Sequence, residues 1–84
     1  MSIENLIINY FREKGIPEKE PESGKYEIDY ILSGKIDSLG IIEMISEFEN
    51  EFGINFTQED FDNPEFRRID GLIKIVMNKR NNFK

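Results

Sequence analysis

The sequence predicts an all-α fold, a four-helix bundle with a long first loop and a short third helix. Three observations support this. Three segments place apolar residues three and four positions apart, the spacing of one helix face. Only the stretch from Tyr26 to Leu32 has a strand-like composition, so no partner strand is on offer. Finally, 84 residues without a cysteine can build only a small core. Such a core is worth roughly 3 to 5 kcal/mol, which favours compact helical packing.

In the first segment Ile3, Leu6, Ile7, Tyr10 and Phe11 follow the i, i+3, i+4, i+7, i+8 pattern. Ser2 is the expected cap, and Glu4 at one end with Arg12 and Lys14 at the other suit the helix dipole. Gly15 and Pro17 end the segment. Residues 17–35 read as a loop, punctuated by Pro17, Pro21, Gly24 and Gly34 and crowded with charge from Glu18 to Lys25. A loop of that length in a small domain is either functional or pinned. Tyr26, Ile28, Tyr30, Ile31 and Leu32 are the residues expected to dock it.

A long helix then starts at Asp37 or Ser38 and ends at Gly53. Its apolar face is read as Leu39, Ile42, Ile45, Phe48 and Phe52, flanked by Ile41 and Met44. Glu43, Glu47 and Glu51 stack on the opposite side with no lysine between them. Each like-charge neighbour pair costs roughly 0.2 to 0.5 kcal/mol, so the ridge suggests a basic partner. Thr57 to Asp60 resembles a capping box for a short third helix. Asn63-Pro64 is either the end of that turn or the cap and first residue of another. The last helix carries Ile69, Leu72, Ile73, Val76 and Met77 on one face and ends near Lys79 and Arg80. Gly71 weakens it by about 1 kcal/mol relative to alanine, which points to a close helix contact. Asn81 to Lys84 are expected to fray. Without repeats or a dividing linker, residues 1–84 are read as one domain.

The chain has no histidine and no cysteine, which excludes histidine triads, zinc sites built on those ligands, and cysteine nucleophiles. Asp60-Phe61-Asp62 lacks the glycine, ligand spacing and final glutamate of a calcium loop, so no metal is expected. No apolar run is long enough to span a bilayer, and Met1-Ser2-Ile3-Glu4 does not open a signal peptide. Together with the missing cysteines this favours a cytoplasmic setting. The net charge of −6 is unevenly placed: from Asp37 to Glu65 there are nine acids and no Lys or Arg, whereas the remainder holds eight acids and eleven bases. An acidic middle in a mildly basic frame argues against nucleic acid as partner and for a basic protein surface. The seven Phe and three Tyr sit at core spacing, not on a basic stripe that would stack bases.

Ser38 has no histidine to activate it and no glycine-rich elbow, so it is a poor intrinsic nucleophile. A hydroxyl at a helix start suits modification better, because an attached phosphate would lie beside unpaired backbone N–H groups and the positive end of the dipole. By itself Asp37-Ser38 is better read as an ordinary helix cap, since aspartate and serine are among the commonest caps.

The run Leu32-Ser33-Gly34-Lys35-Ile36-Asp37-Ser38-Leu39-Gly40-Ile41-Ile42-Glu43-Met44-Ile45 resembles the signature of acyl carrier proteins. The likeness continues through Phe48-Glu49-Asn50-Glu51-Phe52-Gly53-Ile54 and into Asn63-Pro64-Glu65-Phe66. The resemblance implies a four-helix bundle that performs no catalysis of its own. It implies that Ser38 carries 4′-phosphopantetheine, covalently attached from coenzyme A, and holds an acyl or aminoacyl group as a thioester. Asp37, Leu39, Glu43, Met44 and Glu47 would then belong to the surface read by partner enzymes. The implied partners are a phosphopantetheinyl transferase, an acyl- or aminoacyl-activating ligase and downstream acyl-transfer enzymes, in fatty-acid or secondary-metabolite synthesis, with the carrier a monomer. Gly40 stands where carriers of fatty-acid synthesis usually have an acidic residue. The run from Ile36 to Gly40 is more similar to carriers served by free-standing adenylate-forming ligases, such as D-alanyl carrier proteins. Arg67-Arg68 stands where those members often place a polar cap. The alternative reading is a small acidic helical interaction module with no prosthetic group.

Overall fold

A computed structural model of the chain describes residues 2–82. The elements are α1 (Ile3–Arg12), α2 (Ser38–Phe52), α3 (Gln58–Asp62), a 3-10 turn (Pro64–Arg67) and α4 (Ile69–Asn82). The all-α arrangement with a long first loop and a short third helix is as expected. The helix ends follow from local chemistry. The Ser2 hydroxyl accepts the Asn5 N–H at 3.1 Å, and Asn63 caps the 3-10 turn that opens with Pro64. Thr57 and Asp60 form a reciprocal capping box. Gly53 closes α2 at φ 65°, a left-handed conformation that glycine adopts without the strain a side chain would meet. Helix α4 runs on through Asn81 and Asn82, past the point where fraying was expected; Phe83 and Lys84 lie outside the described residues.

The core is one cluster. Helix α1 contributes Ile7, Ile8 and Phe11; α2 contributes Met44, Phe48 and Phe52; α4 contributes Ile69, Leu72, Ile73, Ile75 and Val76. Tyr30 of the loop fills its centre, with its ring 4.7 Å from that of Phe11. Three expectations about facing are corrected. Leu39 and Ile42, assigned to the buried face of α2, are 64% and 62% exposed, and Met44, assigned to a partner surface, is fully buried. Met77 is exposed, and Ile75 takes its place in the core. Phe61 is also partly exposed, although it still packs edge-on against Phe66 at 5.3 Å.

Of the glycines, Gly71 is the one most tightly approached. A β-carbon there would lie 2.1 Å from the Glu65 carbonyl oxygen, far inside contact distance, so the 3-10 turn seats directly against α4. The long loop is tied at both ends. Near its start Arg12 pairs with Glu20 at 2.6 Å and donates to the Tyr26 hydroxyl, which in turn donates to Glu20. At its end it runs antiparallel to the entry of α4. Tyr30 N–H donates to Arg67 O at 3.0 Å, Ile69 N–H to Ile28 O at 3.1 Å, and Asp70 N–H to Tyr26 O at 2.8 Å. The Tyr30 hydroxyl donates to Phe66 O, and Arg67 pairs with Asp29 at 3.1 Å. The loop thus finds its strand-like partner in residues 67–70, where the 3-10 turn passes into α4, forming one isolated bridge, Asp29 to Arg68. Four of the expected docking residues are buried or half-buried, but Leu32 is 76% exposed.

Asp60 links α3 to α4 through an ion pair with Lys79 at 2.6 Å. Burial alone would raise its pKa, but hydrogen bonds from Lys79 and the Thr57 backbone and the Lys79 charge outweigh that and hold it below the usual carboxylate value. A depressed folded-state pKa contributes stability that is present above the unfolded value and lost as pH falls through the folded one. Thermal stability should therefore drop below about pH 4, the region where a free Asp titrates. Asp60→Asn should flatten that slope, as melts at stepped pH would show; an unchanged slope would remove Asp60 as its source.

Candidate functional site

The site lies where the pinned loop delivers the chain into α2. Lys35 fixes this approach: its ammonium pairs with Glu18 at 3.0 Å and donates to Gly15 O at 3.2 Å, tying the loop end to the end of α1. Ile36 is buried just before the turn. Asp37 is the N-cap, its Oδ1 accepting the Gly40 N–H at 2.8 Å while its carbonyl accepts the Ile41 N–H. Gly40 allows this compact cap, because a β-carbon there would meet Ile36 Cγ2 at 3.0 Å and the cap oxygen at 3.2 Å. Ser38 is the first residue of α2 and is exposed. The N–H groups of the first helical turn that lack an intrahelical acceptor lie beside it, at the positive end of the dipole.

An open groove of about 550 Å³ is lined by Asp37 and Ser38 together with Ile31, Ile36, Ile41 and Ile42. Leu32 and Leu39 stand exposed in the same stretches of chain. Sequence reasoning counted Leu32, Leu39 and Ile42 as inward-facing. The available signal was that Leu39, Ile41, Ile42, Met44 and Ile45 are too many apolar residues in seven positions for one helix stripe, so some must face outward.

The acids are equally specific in their placement. Glu43, Glu47 and Glu51 are exposed and join none of the ion pairs among the described residues. They sit on the flank of α2 that faces α1: the α1–α2 groove contains Glu47 and Glu51, and the field of Glu47 and Glu43 acts on Tyr10. On a projection at about 100° per residue, Glu47 lies about 180° from Ser38. The exposed face between them carries Leu39, Ile42, Ser46 and Asn50. The two arginines at 67 and 68 are engaged within the fold, Arg67 by Asp29 and Arg68 by Asp70 and Glu65.

A helical bundle that presents an exposed serine at the first position of α2, behind an aspartate cap, is suited to carry a group attached there. Comparison with family models agrees. Residues 9–73 match the phosphopantetheine attachment site family, and the chain belongs to it. Members of this family are non-catalytic carriers of the acyl carrier protein kind. No match was found among curated proteins or solved structures. No helix among the described residues is long and apolar enough to cross a membrane.

The prosthetic group that the family implies fits these residues. The Ser38 hydroxyl is accessible, the free amide N–H groups of the first turn suit a phosphodiester, and the isoleucine-lined groove suits the aliphatic part that follows it.

Proposed function

We propose that residues 1–84 act as one carrier domain that holds an acyl or aminoacyl group as a thioester on 4′-phosphopantetheine attached at Ser38. The observation that carries this reading is the exposed Ser38 at the first position of α2, within the family match and beside an apolar groove. The group would supply the thiol that the chain lacks. The residues of the chain itself would orient it: Asp37 sets the helix start, the first-turn N–H groups receive the phosphate, and Ile31, Ile36 and Ile41 line the way out. Leu39 and Ile42 would give a transferase or ligase an apolar landing beside Ser38. Glu43 and Glu47 would steer basic enzymes in from the neighbouring flank, raising encounter rate more than affinity. Weak, fast docking suits a domain that must leave one enzyme for the next. The same reading includes a monomeric carrier in the cytoplasm, where the missing cysteines are unremarkable.

Incubation with a phosphopantetheinyl transferase and coenzyme A bearing a fluorescent group on its thiol tests the reading on a gel. Label is expected on the wild-type chain and none on Ser38→Ala. An interaction module without a prosthetic group would take no label in either case.

A further inference from the structure

The flank of α2 remote from Ser38 carries a built surface of its own. Leu6 and Tyr10 of α1 and Phe48 and Phe52 of α2 floor a groove of about 290 Å³, and Glu13, Glu47 and Glu51 rim it. The Tyr10 ring is half-exposed and held edge-on to Phe48 at 5.0 Å, so it is a fixed platform. A cation already rests against it: the Lys14 ammonium lies 4.9 Å from the ring centroid. Burial, then the negative field of Glu47 and Glu43, raises the pKa of the Tyr10 phenol.

The ion pairs of the fold lie away from this groove. Glu18, Glu20, Asp29, Asp60, Glu65 and Asp70 each have a Lys or Arg partner. The rim acids have no ion pair among the described residues. Floor and rim together are complementary to one kind of occupant. An amphipathic helix with Arg at four-residue spacing advances about 6 Å per arginine, the same step that separates Glu47 from Glu51. One guanidinium can lie over Tyr10 while an adjoining aliphatic side chain enters the apolar floor.

We infer that the groove between α1 and α2 is a second docking surface, which takes a basic amphipathic helix of a partner protein and leaves the Ser38 flank open. A partner held there would anchor the carrier while a different enzyme works at Ser38. This two-sided use rests on the reading of Ser38 above; binding in the groove does not.

The test uses the full chain, a synthetic amphipathic helix with Arg at four-residue spacing and Leu on the adjoining face, and a scrambled peptide of the same composition. Backbone amide NMR should show the ordered peptide perturbing Tyr10, Glu13, Glu47 and Glu51. Glu13→Lys with Glu51→Lys, both exposed positions, should weaken binding roughly tenfold or more. Tyr10→Leu keeps an apolar floor but removes the ring, and should weaken it roughly two- to fivefold. Perturbation centred on Leu39 and Ile42, equal binding of the scrambled peptide, or indifference to the double reversal would overturn the inference. In a second arm, saturating peptide should leave Ser38 open to the transferase, slowing labelling by no more than Glu43→Gln with Glu47→Gln does, because the peptide covers Glu47; blocked labelling would overturn the two-sided use. A chain that takes no label without peptide would reject the Ser38 reading alone, and the NMR titration would still decide the groove.

Discussion

Gly71→Ala is expected to leave the protein largely unfolded at 37 °C. The added methyl would stand 2.1 Å from the Glu65 carbonyl oxygen and 2.6 Å from the Glu65 β-carbon. Relief requires the 3-10 turn to move away from α4, and that turn is where the long loop is fastened through Phe66 and Arg67. Overpacking of this kind costs about 1 to 3 kcal/mol, and more when backbone must shift, against a total of roughly 3 to 5 kcal/mol for a domain this small. The gain in helix propensity, about 1 kcal/mol, is too small to compensate. Circular dichroism melts measure the outcome directly. A variant as stable as the parent would mean that the contact at Gly71 does not hold the turn in place.

The second large effect is functional. Replacing Leu39 and Ile42 together by glutamine should lower the rate of transferase modification at Ser38 by roughly thirty- to a hundredfold, the loss expected for two apolar anchors at the centre of an interface. Both side chains are mostly exposed, so melting temperature should barely change. Glu43→Gln with Glu47→Gln should act differently. It should cost less at physiological salt and chiefly flatten the dependence of the rate on ionic strength, because exposed charges are screened over about 8 to 10 Å. Steady-state labelling across a salt series separates the two. If the Leu39/Ile42 pair proves as fast as the parent, docking beside Ser38 is not apolar.

That contrast depends on a feature the sequence showed only in part. Helix ends were legible because each is written in neighbouring residues: Ser2, Asp37, Gly53 and the Thr57–Asp60 box act within one turn of themselves. The inward faces of α1 and most of α4 were legible because each has one clear apolar stripe. Helix α2 does not, so periodicity could not decide which of Leu39, Ile42 and Met44 meets the core. Met44 won because it shares its side with Phe48 and Phe52, and the other two were left around Ser38. The fastening of the loop was hidden for another reason. Tyr30 to Phe66 and Asp29 to Arg67 join residues far apart in sequence, and no local pattern announces such pairs. The acids were legible as a row, but their position beside α1 and Tyr10 depends on how the two helices pack.

Intact mass spectrometry, with fragmentation to locate the change, tests the central claim most directly. After incubation with coenzyme A, Mg²⁺ and a phosphopantetheinyl transferase, the chain should gain about 340 Da, with every modified fragment containing Ser38 and no gain in Ser38→Ala. No gain in the parent, or the same gain retained after Ser38→Ala, would contradict a carrier built on Ser38.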